Sequence, residues 1–499
     1  VILVRRELSF GLGWAAFAIA LWLPAPAGMS VTAQKVAATV LLMAIWWIGE
    51  ALPLAATALL PLALFPLLGV ADMKSLAGSY AHHLVFLFLG GFFIASAIQK
   101  WGLHRRIALF VLRVVGRKPS RIVLGFMIAT AFLSMWISNT ATAMMMYPIA
   151  MAVVTELARA MPREGAQRES AQANFGLVVM LAVAYSASIG GAGTLIGTPP
   201  NVILAGQYAS LFPDAPPITF LRWMLVAVPI VVVTIPVAWV YLINFAGPVR
   251  LATLTRQLGR EQTQRPGFDP PGKLTAPEAC VLVVFTLTAL LWILRADIEL
   301  GWVRIPGWSR LLPNPEHITD SSVAITMGLV LFAIPASRTR RDFLLDWDCA
   351  RNIPWGILLL FGGGFAIAKG MADSGLSTWI GERLHLLTAM PVVLFVIISC
   401  VVVVLLTEVT SNTAVAAMLL PVLASLAAQM DVAPLLVMMP ATIAASFAFV
   451  LPVATPPNAI VMGSGWVTIP QMAKAGIMLD LAGIAIITAV TFSLGTALL

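Results

Sequence analysis

"WISNTATAMMMYPIAM", residues Trp136 to Met151, and "EVTSNTAVAAMLLPVL", residues Glu408 to Leu423, decide the reading of this chain. Each sets Ser-Asn-Thr into an apolar run, and each carries a proline eight residues further on. One such triplet means little, because Ser, Thr and Asn often serve as polar glue between membrane helices. Two of them in register mean more. Ser138, Asn139 and Thr140 stand 273 residues before Ser411, Asn412 and Thr413, and Pro148 lies at the same offset from Pro421. "GGFFIASAIQKWGL" (Gly90–Leu103) matches "GGFAIAKGMADSGL" (Gly363–Leu376) at seven of fourteen positions, again 273 apart. "GTPPNVI" at Gly197 matches "ATPPNAI" at Ala454 with an offset of 257, because the polar segment "PREGAQRESAQANF" lengthens the first copy alone. Three matched blocks in one order are the signature of internal duplication.

The chain has 499 residues, 60% hydrophobic and 10% charged. Soluble domains carry about 25% charged residues, so this chain belongs in a bilayer. Runs such as "FGLGWAAFAIALWLPAPAG", "VAATVLLMAIWWIG" and "FLRWMLVAVPIVVVTIPVAWVYLINFAG" approach or exceed the roughly 20 apolar residues that cross about 30 Å of hydrocarbon. Helices satisfy their own backbone in lipid, so the expected fold is an all-α polytopic membrane protein. The net charge of +8 does not point to nucleic acid, because the basic residues sit in short loops between apolar runs. Cys280, Cys349 and Cys400 are odd in number and scattered, and the five histidines, His82 and His83 among them, lack metal spacing. The first apolar run lacks a small-residue cleavage site and reads as a retained helix. With no glycosylation sequon and no appended soluble domain, the chain fits a bacterial inner-membrane protein.

Charge sets the orientation. Arg105, Arg106, Arg113, Arg117, Lys118 and Arg121 follow the first Gly-Gly helix, whereas the second copy offers only Arg383 there. Arg159, Arg163 and Arg168 follow the first Ser-Asn-Thr segment, and Asp431 alone follows the second. The loops of the first copy therefore read as cytoplasmic and those of the second as external. The loops with Arg250, Arg256, Arg260, Arg265 and Lys273, and with Arg338, Arg340, Arg341 and Arg351, also read as cytoplasmic. Eleven transmembrane helices result, with the amino terminus inside, the carboxyl terminus outside, and two repeats of inverted topology. The crossings are expected near 8–24, 32–49, 51–70, 83–104, 174–210, 219–246, 277–295, 318–336, 353–376, 433–464 and 470–497. A basic amphipathic tail to about 118 should lie along the interface after the fourth, and an interfacial tail should follow the ninth. Residues 120–158 and 390–430 each enter and return, as re-entrant helical hairpins with Ser-Asn-Thr at the turn.

Proline has no amide hydrogen and disfavours helix in the residue before it. Pro199-Pro200 and Pro456-Pro457 therefore break two spanning helices in mid-membrane, which is tolerated only inside protein or along a wet cavity. Unwound carbonyls suit a hard cation such as sodium, and half-helix ends suit an anion. Two tips entering from opposite faces frame one site that fits a substrate with two carboxylates. Neither motif contains Lys or Arg. A dianion there needs counter-charge, and helix ends supply only about half a unit each, so bound sodium ions are the natural remainder. Glu408 is the only acid of the second hairpin, and its repeat partner is Met135. A proton-sensing role and a structural hydrogen-bonding role stand level for it. Glu50 reads as interfacial, and Trp46-Trp47 as helix packing or an interfacial belt. "GGFF" and "GGGF" lack a following Gly-Lys-Ser/Thr, so close helix packing accounts for them better than phosphate binding.

"WWIGEALPLAATALLPLALFPLLGV" (Trp46–Val70), the two Ser-Asn-Thr hairpins and the two Thr-Pro-Pro-Asn breaks resemble the divalent anion/sodium symporter family over nearly the whole chain. That family includes sodium-coupled di- and tricarboxylate carriers. The resemblance implies a homodimer in membrane lipid, with a static scaffold (1–118 and 251–389) and a moving transport domain (119–250 and 390–499) that works like an elevator. It implies one sodium site at Ser134, Ser138, Asn139 and Gly197 and a second at Thr407, Thr410, Asn412 and Ala454. Ser134 and Thr407 are themselves 273 apart. It also implies substrate contacts at Ser138, Asn139, Thr140, Ser411, Asn412 and Thr413, with Thr198 and Thr455 nearby. The expected function is sodium-coupled symport of a C4-dicarboxylate such as succinate, with no catalytic residues. An electroneutral anion exchanger on the same fold is the alternative. No Ser-His or paired-Asp arrangement supports an intramembrane hydrolase, and broken helices argue against a channel.

Overall fold

The structure is a computed structural model that describes residues 2–116, 118–160, 166–244, 272–300, 303–337, 342–384 and 390–498. Arg117, Arg163, Arg250, Arg256, Arg260, Arg265, Arg338, Arg340 and Arg341, which carry part of the orientation argument, lie outside the described residues.

Helices α1 (Ile2–Trp22) and α2 (Val31–Gly49) pack together. Ser30 starts α2 by accepting the Ala33 amide, and Glu50 ends it in a left-handed conformation with φ 52°. Trp46 stacks on Phe10 at 5.0 Å and is buried with Trp47, so this pair packs helices. The expected crossing at 51–70 is not one helix. It forms α3 (Leu54–Thr57) and α4 (Leu60–Leu67), because Pro61 cannot donate to the Thr57 carbonyl. At 1.5 Å per residue these two pieces span about 20 Å, short of the hydrocarbon core. Next come α5 (Met73–Tyr80), capped by Asp72, and α6 (His83–Lys100). Gly102, at φ 69°, turns the chain into α7 (Leu103–Val115). This helix buries Leu103, Ala108 and Leu112 and exposes Arg105, Phe110, Arg113 and Val114, as an interfacial segment should.

The chain continues through α8 (Pro119–Ser134), α9 (Asn139–Ala160), α10 (Ala166–Gly191), α11 (Pro199–Leu211), α12 (Phe220–Asn244) and α13 (Ala276–Ile293). A short antiparallel hairpin, β1 (Ile298–Leu300) with β2 (Val303–Ile305), qualifies the all-α expectation. Its alternating Ile298, Leu300, Val303 and Ile305 fit a strand period of two. Then follow α14 (Asp320–Ala333), α15 (Trp347–Arg351), α16 (Trp355–Asp373), α17 (Leu376–Arg383), α18 (Val392–Thr407), α19 (Asn412–Gln429), α20 (Pro434–Ala444), α21 (Pro456–Met462) and α22 (Ile469–Leu498).

Eight of the described helical runs are long and apolar enough to cross a membrane. Five shorter apolar helical segments accompany them, including α8, α14, α18 and α20. The Gly-Gly motifs are packing surfaces. A Cβ on Gly90 would lie 2.4 Å from the Ala324 carbonyl of α14, and one on Gly363 would lie 2.5 Å from the Ala58 carbonyl. Both equivalent glycines thus let a backbone come into direct contact with their helix.

Two polar nodes, the first buried and the second partly exposed, fix the frame. Asp320, at the start of α14, accepts from Arg295 Nε at 2.5 Å and from the Phe220 amide of α12 at 2.8 Å. Lys100 Nζ reaches Asp346 at 2.6 Å and the Phe343 carbonyl at 3.0 Å. The Lys100 ammonium, helped by the Cys349 amide, pulls the Asp346 carboxyl down to about 2.

Candidate functional site

The two Ser-Asn-Thr stretches sit at matching breaks. Residues 135–138 interrupt helix between α8 and α9, and residues 408–411 interrupt it between α18 and α19. The Thr-Pro-Pro-Asn stretches start α11 and α21 with proline in the first turn, where its missing N–H costs nothing. The chain is non-helical in between, from Ala192 to Thr198 and from Ala445 to Thr455.

Asn201 and Asn458, the last residues of those two motifs, hold the breaks open in the same way. Asn201 Nδ2 donates to Gly191 O at 3.2 Å and Thr194 O at 2.7 Å. Asn458 Nδ2 donates to Ala448 O and Leu451 O, each at 3.0 Å. Donors and acceptors are all related by the offset of 257, so the duplication extends to individual hydrogen bonds. Both carboxamide oxygens, Asn201 Oδ1 and Asn458 Oδ1, are buried without a hydrogen-bond donor.

Around the first tip the oxygens crowd. Ser134 Oγ lies 2.7 Å from Asn139 Oδ1 and 2.6 Å from Ala187 O. One hydroxyl hydrogen serves one of these acceptors, leaving an oxygen-rich spot of the kind hard cations take. The Asn139 carboxamide lies over Gly191, where a Cβ would stand 2.2 Å from Asn139 Oδ1. The Gly191 carbonyl in turn touches Gly197. Ser134, Asn139 and Gly197 are therefore brought together. Ser138 Oγ accepts the Ala141 amide at 3.4 Å, and Ser138, Asn139 and Thr140 are all half-buried.

The second tip is built differently. Thr407 and Thr410 donate to carbonyls of their own turn, Val404 and Leu406, at 3.1 and 2.7 Å. Asn412 Oδ1 is buried without a donor. Ser411 and Asn412 are half-buried, and Thr413 is buried. Thr455 Oγ1 accepts the Asn458 amide at 3.4 Å, while Thr198, its equivalent, makes no such cap. Ala454 donates its amide to Leu451 O at 3.2 Å, and Gly197 does the same to Thr194 O at 3.3 Å.

Glu408 now has a physical account. Its two oxygens accept the Val450 and Leu451 amides at 2.9 and 2.8 Å. In the first copy, Thr194 Oγ1 donates to the Met135 carbonyl. Met135 corresponds to Glu408 and Thr194 to Leu451. Tip is tied to break in both copies; the break donates and the tip accepts each time, with side chain and backbone exchanged. Of the two roles open for Glu408, the geometry supports structural hydrogen bonding.

The packing adds a crossover between the two copies. Each hairpin packs against the pre-break helix of its own repeat, α10 or α20, but the post-break helices cross over. Helix α11 packs on α19, and α21 packs on α9. Gln207 of α11 donates to Ala417 O of α19 at 2.9 Å and to Gly364 O of α16 at 3.1 Å. The first tip also leans on α12 and α13, where Trp136, Phe220 and Trp292 stack face to face. Sequence reasoning passed over Asn201 and Asn458, although both stand in the repeated Thr-Pro-Pro-Asn stretch.

Among the described residues no group of His, Cys, Asp and Glu is arranged to hold a transition metal. The donors at the breaks are hydroxyls, carboxamides and backbone carbonyls. Helices of spanning length, two matched tips and two matched breaks define a polytopic membrane transporter rather than an enzyme. The chain belongs to the sodium:sulfate symporter family, whose transmembrane region matches residues 8–499. This is the divalent anion/sodium symporter family that the paired motifs resemble. The chain is 41% identical over 492 residues to the sodium-dependent dicarboxylate transporter SdcS of Staphylococcus saprophyticus, covering 98% of this chain and 92% of that protein. It is 42% identical over 458 residues to SdcS of Staphylococcus aureus (strain bovine RF122 / ET3-1), covering 92% and 85%. The fold is similar to that of the Alcanivorax borkumensis YdaH transporter (TM-score 0.59, 13% identity, 92% of this chain and 99% of that one). It is also similar to Neisseria gonorrhoeae MtrF (TM-score 0.57, 12% identity, 98% and 94%).

Proposed function

We propose that this protein is a sodium-coupled symporter that takes up a C4-dicarboxylate of the succinate type. The single observation that carries the reading is the pair of matched tips and breaks, dense in oxygen acceptors and free of Lys and Arg within their motifs. Such a site attracts cations, and cations are what a doubly charged carboxylate needs beside it. Ser134, Ser138, Asn139 and Gly197 hold one sodium ion, and Thr407, Thr410, Asn412 and Ala454 hold another. Ser138, Asn139, Thr140, Ser411, Asn412 and Thr413 bind the substrate carboxylates, with Thr198 and Thr455 alongside. The orphaned amide oxygens of Asn412, Asn201 and Asn458 favour the cation assignment, and the names of the two relatives favour the ion and the substrate class.

The chain forms eleven crossings in two inverted repeats, with the broken α3–α4 segment counted as the third and re-entrant hairpins at 120–158 and 390–430. Its amino terminus faces the cytoplasm, its carboxyl terminus faces outward, and it resides in the bacterial inner membrane as a homodimer. The scaffold is 1–118 with 251–389, and 119–250 with 390–499 carries the substrate in an elevator motion. The Asp320–Phe220 hydrogen bond and the Gln207–Gly364 hydrogen bond cross between those two bodies, so the motion breaks or swings both.

The test is uptake of labelled succinate into proteoliposomes. Uptake should require an inward sodium gradient, and equal uptake in choline would refute the coupling. Uptake that needs only internal dicarboxylate would replace symport by exchange. Where net positive charge enters, an inside-negative potential accelerates uptake at about 2.3 kcal/mol per charge per 100 mV.

A further inference from the structure

The stretch from Arg105 to Arg121 carries six basic residues, and the chain has no acid between Asp72 and Glu156. The matching stretch of the second copy, which contains α17, has Arg383 beside Glu382 instead. The duplicated fold therefore builds this element without the charge, so the charge of the first copy answers to something other than folding.

Arg106 is engaged by the protein. It holds Glu278 at 3.0 Å and the Gly272 carbonyl at 2.8 Å, which fastens α7 to the start of α13. Arg105, Lys118 and Arg121 are exposed, and among the described residues none of the three side chains has a hydrogen-bond or ion-pair partner. Gly116, at φ 111°, turns the chain out of α7, and a Cβ on it would lie 3.3 Å from Arg121 Cδ and 3.4 Å from Nη1. The Arg121 side chain is thus folded back over the turn that holds Lys118. Neither cation helps α8 locally. Lys118 is its N-cap and Arg121 lies in its first turn, where the helix dipole favours negative charge.

Apolar surface lies beside these charges. Phe110 and Val114 are 64% and 67% exposed. They stand one turn apart, on the face opposite the buried Ala108 and Leu112, and Arg113 shares that face. At a bilayer boundary such apolar side chains enter the acyl region while basic ones reach up to the phosphates. A neutral lipid surface asks only for the apolar pair. The cations ask for negatively charged headgroups.

We infer that the outer face of α7, with Lys118 and Arg121, docks on anionic phospholipid headgroups of the cytoplasmic leaflet. The leaflet rests on the orientation proposed above, whereas the docking does not depend on it. The docking bears on the site through α8. A Cβ on Gly125 would lie 3.4 Å from Leu112 Cα, so α7 and α8 meet at close range, and α8 runs from there to Ser134. Headgroups that hold α7 in the membrane plane hold the root of the first hairpin.

The test places p-benzoylphenylalanine at position 110 of the full-length protein, in nanodiscs of equal parts phosphatidylglycerol and phosphatidylcholine. Irradiation followed by mass spectrometry reads the ratio of the two lipid adducts. Phosphatidylglycerol should exceed phosphatidylcholine by about tenfold or more, at roughly fivefold per basic residue. The ratio should fall to near parity when Arg105→Gln, Lys118→Gln and Arg121→Gln are combined. The same probe at exposed Thr378 of α17 should give near parity without further change. Parity at position 110 in the otherwise unaltered protein, an undiminished excess in the triple variant, or an equal excess at position 378 would each overturn the docking. Should the triple variant fail to fold, salt decides. At about 1 M, where screening acts within about 3 Å, the excess at position 110 should collapse, and an excess that survives would overturn the docking. Amides of α7 and α8 should also exchange hydrogen more slowly in the mixed discs than in pure phosphatidylcholine; exchange that ignores lipid charge would overturn the anchoring of the hairpin. None of these measurements needs sodium or a dicarboxylate, so their failure is separate from any failure of the transport reading.

Discussion

Gly191→Ala tests the first cluster with one methyl group. The glycine ends α10, and its backbone is helical, so alanine is locally the better residue by about 1 kcal/mol. The new Cβ, however, would stand 2.2 Å from Asn139 Oδ1, 2.9 Å from its Cγ and 3.0 Å from its Nδ2. The carboxamide must leave, and the Ser134–Asn139 hydrogen bond goes with it. Overpacking of this kind costs about 1–3 kcal/mol, and the lost hydrogen bond about 1 kcal/mol. Set against the gain in helix propensity, the net loss is about 1–3 kcal/mol, or roughly 5- to 150-fold in affinity. Half-saturating sodium for succinate uptake in proteoliposomes should rise by that factor, with folding checked by size-exclusion profile. Gly78→Ala serves as control, because a Cβ there meets nothing within 4 Å. A folded G191A variant with wild-type sodium dependence would refute the placing of Asn139 in a cation site.

Asn139→Ala and Asn412→Ala should each weaken sodium and succinate binding together, since each is assigned to both; isothermal titration with either ligand checks this. Unchanged sodium binding in a folded variant would remove that residue from the site. Glu408→Gln puts an amide nitrogen against one of two backbone donors and leaves that buried amide unsatisfied, at a cost of about 1–3 kcal/mol. Thermal unfolding in detergent should show it as a lowered Tm. Asp346 titrates at about 2 in the folded protein, below its ordinary 3.8, because of Lys100. Its stabilising effect is therefore complete above pH 3.8 and vanishes as pH falls through about 2. The carboxylate is 44% exposed, so the stability gap between wild type and Lys100→Met should be under about 1 kcal/mol. That gap should close on acidification; one that widens would contradict the ion pair.

The features that were legible before any coordinates are those set by local chemistry. Proline pairs in apolar runs mark breaks, and Pro199 and Pro456 both start helices. Repeated Ser-Asn-Thr marks tips, and both tips fall at helix interruptions. Features that depend on tertiary partners were not legible. Pro61 looked compatible with a single third crossing until the gap between α3 and α4 appeared. The crossover of α11 and α21 pairs segments remote in sequence, and no local pattern encodes it. Glu408 broke the symmetry of the motif, yet its role became plain only once Thr194 was seen bonded to Met135. The alternation in Ile298–Ile305 was present in the sequence, but a helical reading of the whole chain passed over it.

The crossover also bears on biosynthesis. Helix α11 finds its seat only when α19 exists, roughly 200 residues later in the chain. At about 5–20 residues per second, the ribosome needs on the order of 10–40 s to supply it. Throughout that interval Gln207 lacks its final acceptors, Gly364 O and Ala417 O. A protein clasped in this manner cannot mature half by half, and the nascent first half is where insertion chaperones and quality-control proteases would find their opening.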